Sequence, residues 1–183
     1  CLCCNKGKLN EIINLGLHSF ADRFVPKKKL NIIDPKYPLI LDMCNNCKFI
    51  QSRVVTNPKN RYLEIDYSYT SSNSNYSRNH WIEFADSLEK KISLKNKKII
   101  EIGSNDGFLS QLLKKKGAEV LGVDASEFMV KISKKKINTI QSIFNYQQSK
   151  KIKKLFGRAD ITIANNVFNH SDNTLDFLSG VYN

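Results

Sequence analysis

Beyond Cys47 the 183-residue sequence contains no cysteine, and the five it has stand at positions 1, 3, 4, 44 and 47. A disulfide framework spread along the chain is thereby excluded, and the odd count, without secretory features, disfavours pairing even near the N-terminus. No window approaches the run of about 18 apolar residues that a membrane span requires, and no basic stretch followed by an apolar core marks a signal sequence. The expectation is a cytoplasmic protein with no membrane partner, its 41% apolar residues sufficient for the core of one medium domain or two small ones. Because the chain opens on Cys1 rather than methionine, that expectation leaves room for a lost leader. Acidic residues are also scarce, 17 against 29 lysines and arginines, for a net charge of +12. Such an excess suits phosphate backbones. The lysines, however, gather at 27–29, 114–116, 134–136 and 150–154, mostly at expected helix ends where cations complement the dipole and stay solvated, which disfavours nucleic acid as a partner.

The cysteines that are present fall into pairs. Cys1 and Cys4 form one C-x-x-C and Cys44 and Cys47 a second, together the four thiolates of a tetrahedral structural zinc site. Gly7 follows the first pair, and "CNNCK" gives the second a turn-forming interior. The gap between them is longer than in a compact zinc ribbon, so the intervening residues are expected to form a substructure, with "YPLILDMC" as its strand. Four thiolates leave no open coordination position, which assigns the metal a structural role. Lys6 and Lys48 offset the excess negative charge, and Cys3 is a spare thiol that spacing alone allows in place of Cys1 or Cys4.

Three segments follow from the pattern: a zinc-binding domain over 1–60, a connector and helix over 61–95, and an α/β domain over 96–183. An Asn-Pro step at 57–58 leads toward the connector, which is the Ser/Asn-rich patch "SYTSSNSN". Ser77 or Asn79 is expected to cap a helix carrying Trp81, Ile82, Phe84, Ala85 and Leu88. From Lys98, apolar strand candidates alternate with amphipathic helix candidates: 99–102 then 107–116, 120–123 then 127–136, 138–141 then 147–156, and 161–164, with a further helix begun by "DNTLDFLSGVYN". This βαβ series predicts an incomplete, Rossmann-like parallel sheet with ligands at the carboxyl ends of its strands.

Between the first strand and its helix lies "EIGSNDG". A dinucleotide fingerprint needs glycine at the second turn position, where this chain has Asn105. The spacing instead matches a first S-adenosylmethionine motif, with Glu101 as the acidic residue inside the strand and Gly103, Asn105, Asp106 and Gly107 in the turn. Asp124, about twenty residues on, ends the second strand where a carboxylate can accept from both ribose hydroxyls. Glu101, Asp106 and Asp124 together suit a cationic sulfonium better than a diphosphate. Asn165 and Asn166, ending the fourth strand, are candidates for the methionine end of the cofactor, and a plain strand terminus explains them equally well.

Taken together, "CLCC" with "CNNC", "NLGLHSFADRF", "YPLILDMCNNCKFIQ", "YSYTSSNSN", "EIGSNDGFL", "VLGVDAS" and "NNVFNH" resemble the sugar C-methyltransferases that carry an N-terminal zinc-binding domain. The resemblance runs from end to end and implies a small-molecule partner, a nucleotide-linked keto-deoxysugar, methylated at a carbon beside its ketone after a base removes a proton there. It further implies that Tyr67 and His170 face the sugar as catalytic residues and that Tyr69 stands nearer the cofactor. Family members continue into further strands and a C-terminal domain bearing a Tyr-x-Glu-His-type cluster, which nothing here matches. The expectation is therefore a fragment truncated at both ends and inactive alone. Two rivals remain open: a basic zinc module that binds nucleic acid or a protein, and methyl transfer to oxygen or nitrogen of another small molecule. The oligomeric state is not encoded in any motif.

The cysteine pattern predicts about one zinc per chain, lost together with the folding of roughly the first sixty residues when Cys44 or Cys47 is replaced. Metal analysis paired with circular dichroism checks this, and retained structure in a metal-free variant refutes it.

Overall fold

The computed structural model describes residues 1–21, 25, 27–57, 59, 62 and 69–183. The chain divides into two compact units, one of Cys1–Ser68 with Asp172–Leu175 and one of Tyr69–Ser171 with Asp176–Asn183.

In the first unit, β1 (Leu9–His18), β2 (Tyr37–Cys44) and β3 (Ile50–Ser52) form an antiparallel sheet in the order β1-β2-β3. Strand β2 is the expected "YPLILDMC". Its partner β1 escapes a period-two reading because the register slips twice, between Glu11 and Ile13 and between Asn14 and Leu17. Each slip flips the side-chain parity, so the apolar residues of "LNEIINLGLH" do not alternate. Gly16, at φ 84°, supplies the left-handed residue of the second slip. One guanidinium ties all three strands together. Arg53, just after β3, donates from Nε and Nη2 to the two oxygens of Asp42 on β2 at 2.9 and 2.7 Å, and Nη2 lies 2.9 Å from Glu11 on β1. Asp42 is 2% exposed, and the Arg53 hydrogen bonds hold its carboxyl below the usual range.

The second unit begins with α1 (Asn75–Lys91). Its cap is Ser74, whose hydroxyl accepts from the Ser77 amide, rather than the expected Ser77 or Asn79. Ser77 lies inside the first turn and its hydroxyl bonds the Ser71 carbonyl. Four parallel strands follow, with helices between: β4 (Lys98–Ile102), α2 (Phe108–Lys115), β5 (Glu119–Asp124), α3 (Glu127–Ser133), β6 (Asn138–Gln141), α4 (Tyr146–Phe156) and β7 (Ile161–Ile163). A 3-10 turn (Phe168–His170) and α5 (Thr174–Tyr182), which belongs to this unit from Asp176 onward, follow β7. The strand order β6-β5-β4-β7 puts a topological switch between β4 and β7, where the chain leaves one side of the sheet and returns on the other. Expected helix 127–136 ends early, at Ser133, because Ile137 turns back to bond the Ser133 carbonyl and enter β6.

Pleating sorts the core. Ile99, Val120 and Ile163 pack with Ala85 of α1 and Leu109 and Leu113 of α2 on one face. Ile100, Ile102, Leu121 and Val123 pack with Ile152 of α4 and Phe177 of α5 on the other. Lysines do sit in the last turns of α1, α2 and α4 (Lys90, Lys91, Lys114, Lys115, Lys153, Lys154), where the helix dipole favours them. Among the described residues no helix is long and apolar enough to cross a membrane.

Replacing Arg53 by methionine strands the buried Asp42 carboxylate. The thermal midpoint of the first unit should fall near neutral pH and fall less at about pH 4, where Asp42 can take up a proton instead. Melting curves at the two pH values, followed by a probe in residues 1–57, test this.

Candidate functional site

Two candidate sites lie in separate units. In the first unit the Sγ atoms of Cys1, Cys4, Cys44 and Cys47 all lie within 4.8 Å of one another. Cys1 to Cys47 is 3.6 Å and Cys4 to Cys44 is 3.7 Å. Zinc–thiolate bonds of about 2.3 Å in a tetrahedron separate the sulfurs by about 3.8 Å, so four sulfurs at this spacing fit the ion well. Cys3 is exposed and outside the cluster. Both C-x-x-C loops close in the same way. Asn5 and Lys48 take left-handed φ values of 53° and 62° and return amide hydrogen bonds to the Cys1 and Cys44 carbonyls. Backbone hydrogen bonding from Lys6, the Asn46 carboxamide and the Gly7 backbone bring the Cys4 thiol down to about 6, preparing a thiolate. Cys47 is pushed up to about 11: the Phe49 backbone favours its thiolate, but burial and the adjoining thiols outweigh it. Gly7 has a steric task as well, because a Cβ there would stand 2.1 Å from the Cys44 sulfur.

In the second unit the turn after β4 lies beside the switch. Gly103, Asn105 and Gly107 have φ of 70°, 50° and 75°, a left-handed residue at every second position. Asparagine is one of the few non-glycine residues that adopts this conformation readily, so the chain keeps the shape of a G-x-G-x-G turn with a side chain at its centre. The outer glycines also make room. A Cβ on Gly103 would stand 2.3 Å from Val167 Cγ2, and one on Gly107 would stand 2.6 Å from Ser133 Oγ. Asp124 at the tip of β5 accepts from the Asn105 amide at 2.7 Å and from the Ser126 amide at 2.8 Å, bridging the turn to the start of α3.

The three acids have different surroundings. Glu101 shares the pleat face of Ile99, so its carboxyl lies under α2, where it accepts from the Ser110 hydroxyl. Burial pushes it up to about 8, against the Ser110 hydrogen bonds that favour ionisation. Asp106 is 1% exposed; burial raises it, but the Ser71 and Ser72 hydroxyls and Lys136, 3.6 Å away, outweigh that and hold it below the usual range. Asp124 is half-buried, and burial raises it in spite of its backbone partners. Asp124 is therefore the one of the three that reaches the surface of the crevice.

The other expected site residues distribute as follows. Tyr69 is 46% exposed, and its carbonyl accepts from Asn105 Nδ2 at 2.9 Å, which brings it to the turn. Tyr67 lies outside the described residues. His170 is exposed at the end of the 3-10 turn after β7, across the switch from the glycine turn. Asn165 lies in the turn after β7 rather than at the strand's end, with its Nδ2 buried and without a hydrogen-bond partner. Asn166 takes a left-handed φ of 53°. Sequence reasoning missed Ser71, Ser72 and Lys136 around Asp106, and Val167 over Gly103. Ser71 and Ser72 stand in the Ser-rich patch, which reads as a linker until its partner is known.

Comparison with known proteins agrees with this geometry. Residues 100–183 match the family model of a methyltransferase domain, and residues 1–62 match one described as "Putative zinc binding domain". The C-methyltransferase NovU of Streptomyces niveus is 22% identical over 183 residues, 99% of this chain and 43% of NovU. The ubiquinone biosynthesis O-methyltransferase of Coxiella burnetii is 40% identical over 60 residues, 33% of this chain and 26% of that enzyme. The chain thus spans less than half the length of these relatives. Similar solved structures include magnesium protoporphyrin IX methyltransferase from Synechocystis PCC 6803 with bound SAH, at 20% identity, 57% of this chain, 49% of that chain and a TM-score of 0.45. Another is the plantazolicin methyltransferase BpumL, at 18% identity, 68% and 45% coverage and a TM-score of 0.46. The match to a methyltransferase-domain model thus covers the β4–β7 sheet, and the four close cysteines lie within the residues that match the zinc-binding model.

Two outcomes follow from the geometry. Gly7→Ala should lose zinc as completely as a cysteine substitution does, read by metal content after gel filtration, because the added methyl occupies the Cys44 sulfur's place. Between its ordinary 4.5 and about 8, buried Glu101 keeps a proton that the unfolded chain has released. Stability should therefore decline as pH rises through that window and level off above it, and Glu101→Gln should lack this decline in urea midpoints taken at about pH 5 and about pH 9.

Proposed function

We propose that the chain serves S-adenosylmethionine-dependent methyl transfer to a carbon beside the ketone of a nucleotide-linked deoxysugar, with the zinc-binding module as a structural part of the same protein. The observation that carries the methyl-transfer reading is the turn of alternating left-handed residues after β4, with Asp124 at the tip of the neighbouring strand. The carbon acceptor is supported by the match to NovU, which extends through the cysteine-bearing residues as well as the sheet.

In this reading the turn at 103–107 and the Asp124 carboxylate bind the nucleoside part of the cofactor, and the carboxylate accepts from the ribose hydroxyls. Asn165 donates its unpaired Nδ2 to the methionine end. When bound, the cofactor supplies an electrophilic methyl group on a cationic sulfur. His170, after β7, would hold or move a proton near the substrate; the resemblance gives Tyr67, outside the described residues, a part in the same chemistry and puts Tyr69 nearer the cofactor. A proton must leave the carbon before it attacks, and the resulting enolate needs a donor to stabilise its oxygen. A cytoplasmic location is part of the same proposal. The second reading is O-methyl transfer, which needs no carbon acid, and its specific support is the 40% identity to an O-methyltransferase over 60 residues.

Calorimetry of the chain with S-adenosylmethionine should show saturable binding, weakened about tenfold or more in Asp124→Ala through loss of charge-assisted hydrogen bonds. No saturable binding sinks the reading. Where turnover is found, incubation in deuterated water with a keto-deoxysugar nucleotide should exchange the proton beside the ketone, and NMR of the product should place the new methyl on carbon. A methyl on oxygen selects the second reading.

A further inference from the structure

The connector is fastened to the cofactor turn by Asn105, which stands at a glycine position, and by its neighbour Asp106. Asn105 Oδ1 accepts from the Ser71 amide at 2.8 Å, and its Nδ2 donates to the Tyr69 carbonyl at 2.9 Å. Asp106 accepts from the Ser71 hydroxyl at 2.5 Å through Oδ1 and from the Ser72 hydroxyl through Oδ2. Arg78 of α1 closes the far side, donating to the Ser72 carbonyl at 2.6 Å. A cofactor would meet the backbone of this turn, while both side chains face the connector. The cluster is closed: Asp106 and Ser71 are 1% and 9% exposed, and Lys136 supplies the balancing charge.

We infer that Asn105 and Asp106 are positioning residues, a latch that seats Tyr69–Ser72 against the glycine turn so that cofactor affinity depends on the connector being docked. This rests on the cofactor reading above. The asparagine at 105 then has two tasks that glycine cannot combine, since it takes the left-handed backbone the turn needs and carries the amide that grips residues 69 and 71. Asp106 acts through the serines and has no ligand contact of its own in this scheme.

Two variants cut the latch from opposite sides. Asn105→Gly keeps the left-handed turn and removes the side-chain bonds; Ser71→Ala with Ser72→Ala leaves the turn untouched. Hydrogen exchange of the whole chain should show the Ser71 amide exchanging about tenfold faster in Asn105→Gly, and the 69–72 segment loosening in the serine pair, with β4 and α2 unchanged. Calorimetry should show S-adenosylmethionine binding weakened about fivefold or more in both variants. Unchanged exchange at 69–72 overturns the latch. Faster exchange with unchanged cofactor affinity overturns its role in positioning. A wild-type chain that fails to bind the cofactor would instead sink the functional reading, and that outcome is separate because the exchange measurement needs no cofactor.

Discussion

A parallel strand can pass its chain to a covering helix within five residues only if the backbone curls sharply, and here it curls left-handed at Gly103, Asn105 and Gly107. The rest of the second unit depends on that curl. It aims α2 so that Leu109 and Leu113 reach the core and Ser110 meets Glu101. It also turns the Asn105 amide toward Asp124, tying the tips of two adjacent strands together. With the turn set, the switch between β4 and β7 is flanked by residues 103–107 on one side and residues 165–170 on the other.

Electrostatics at this site is set by the pleat more than by composition. Glu101 and Asp124 are both acids of neighbouring strands, yet one lies beneath a helix and the other at a strand tip. Burial without a cation lifts Glu101 well up the scale, whereas Asp106, at least as buried, is held below the usual range by two hydroxyls and Lys136. A negative field at the crevice therefore comes mainly from Asp124. The three carboxylates do not act as one pool facing a cationic ligand.

The α/β series was legible almost residue by residue, because β4 through β7 and their helices obey simple periods and end on recognisable caps. The paired cysteines were legible for the same reason, their spacing being a local code. What stayed hidden was non-local. Strand β1 lost its alternation to two register slips. Ser77 looked like a cap because its role, bonding the Ser71 carbonyl, depends on a segment folded back beneath the helix. The Ser-rich patch read as linker, since nothing along the chain says that Asp106, more than thirty residues later, is its partner. Glu101 could be placed in a strand from sequence, but the face it occupies follows from which neighbours surround β4.

The contact between Gly103 and Val167 has a corollary for protein engineering. The isopropyl group after the fourth parallel strand nestles where any larger residue at 103 would carry its first carbon, so the two loops flanking the crevice are matched in volume like adjoining teeth. Chimeras that import the segment after β7 from a relative should therefore import the β4 turn as well, since exchanging one alone leaves either a hole or a collision at the junction.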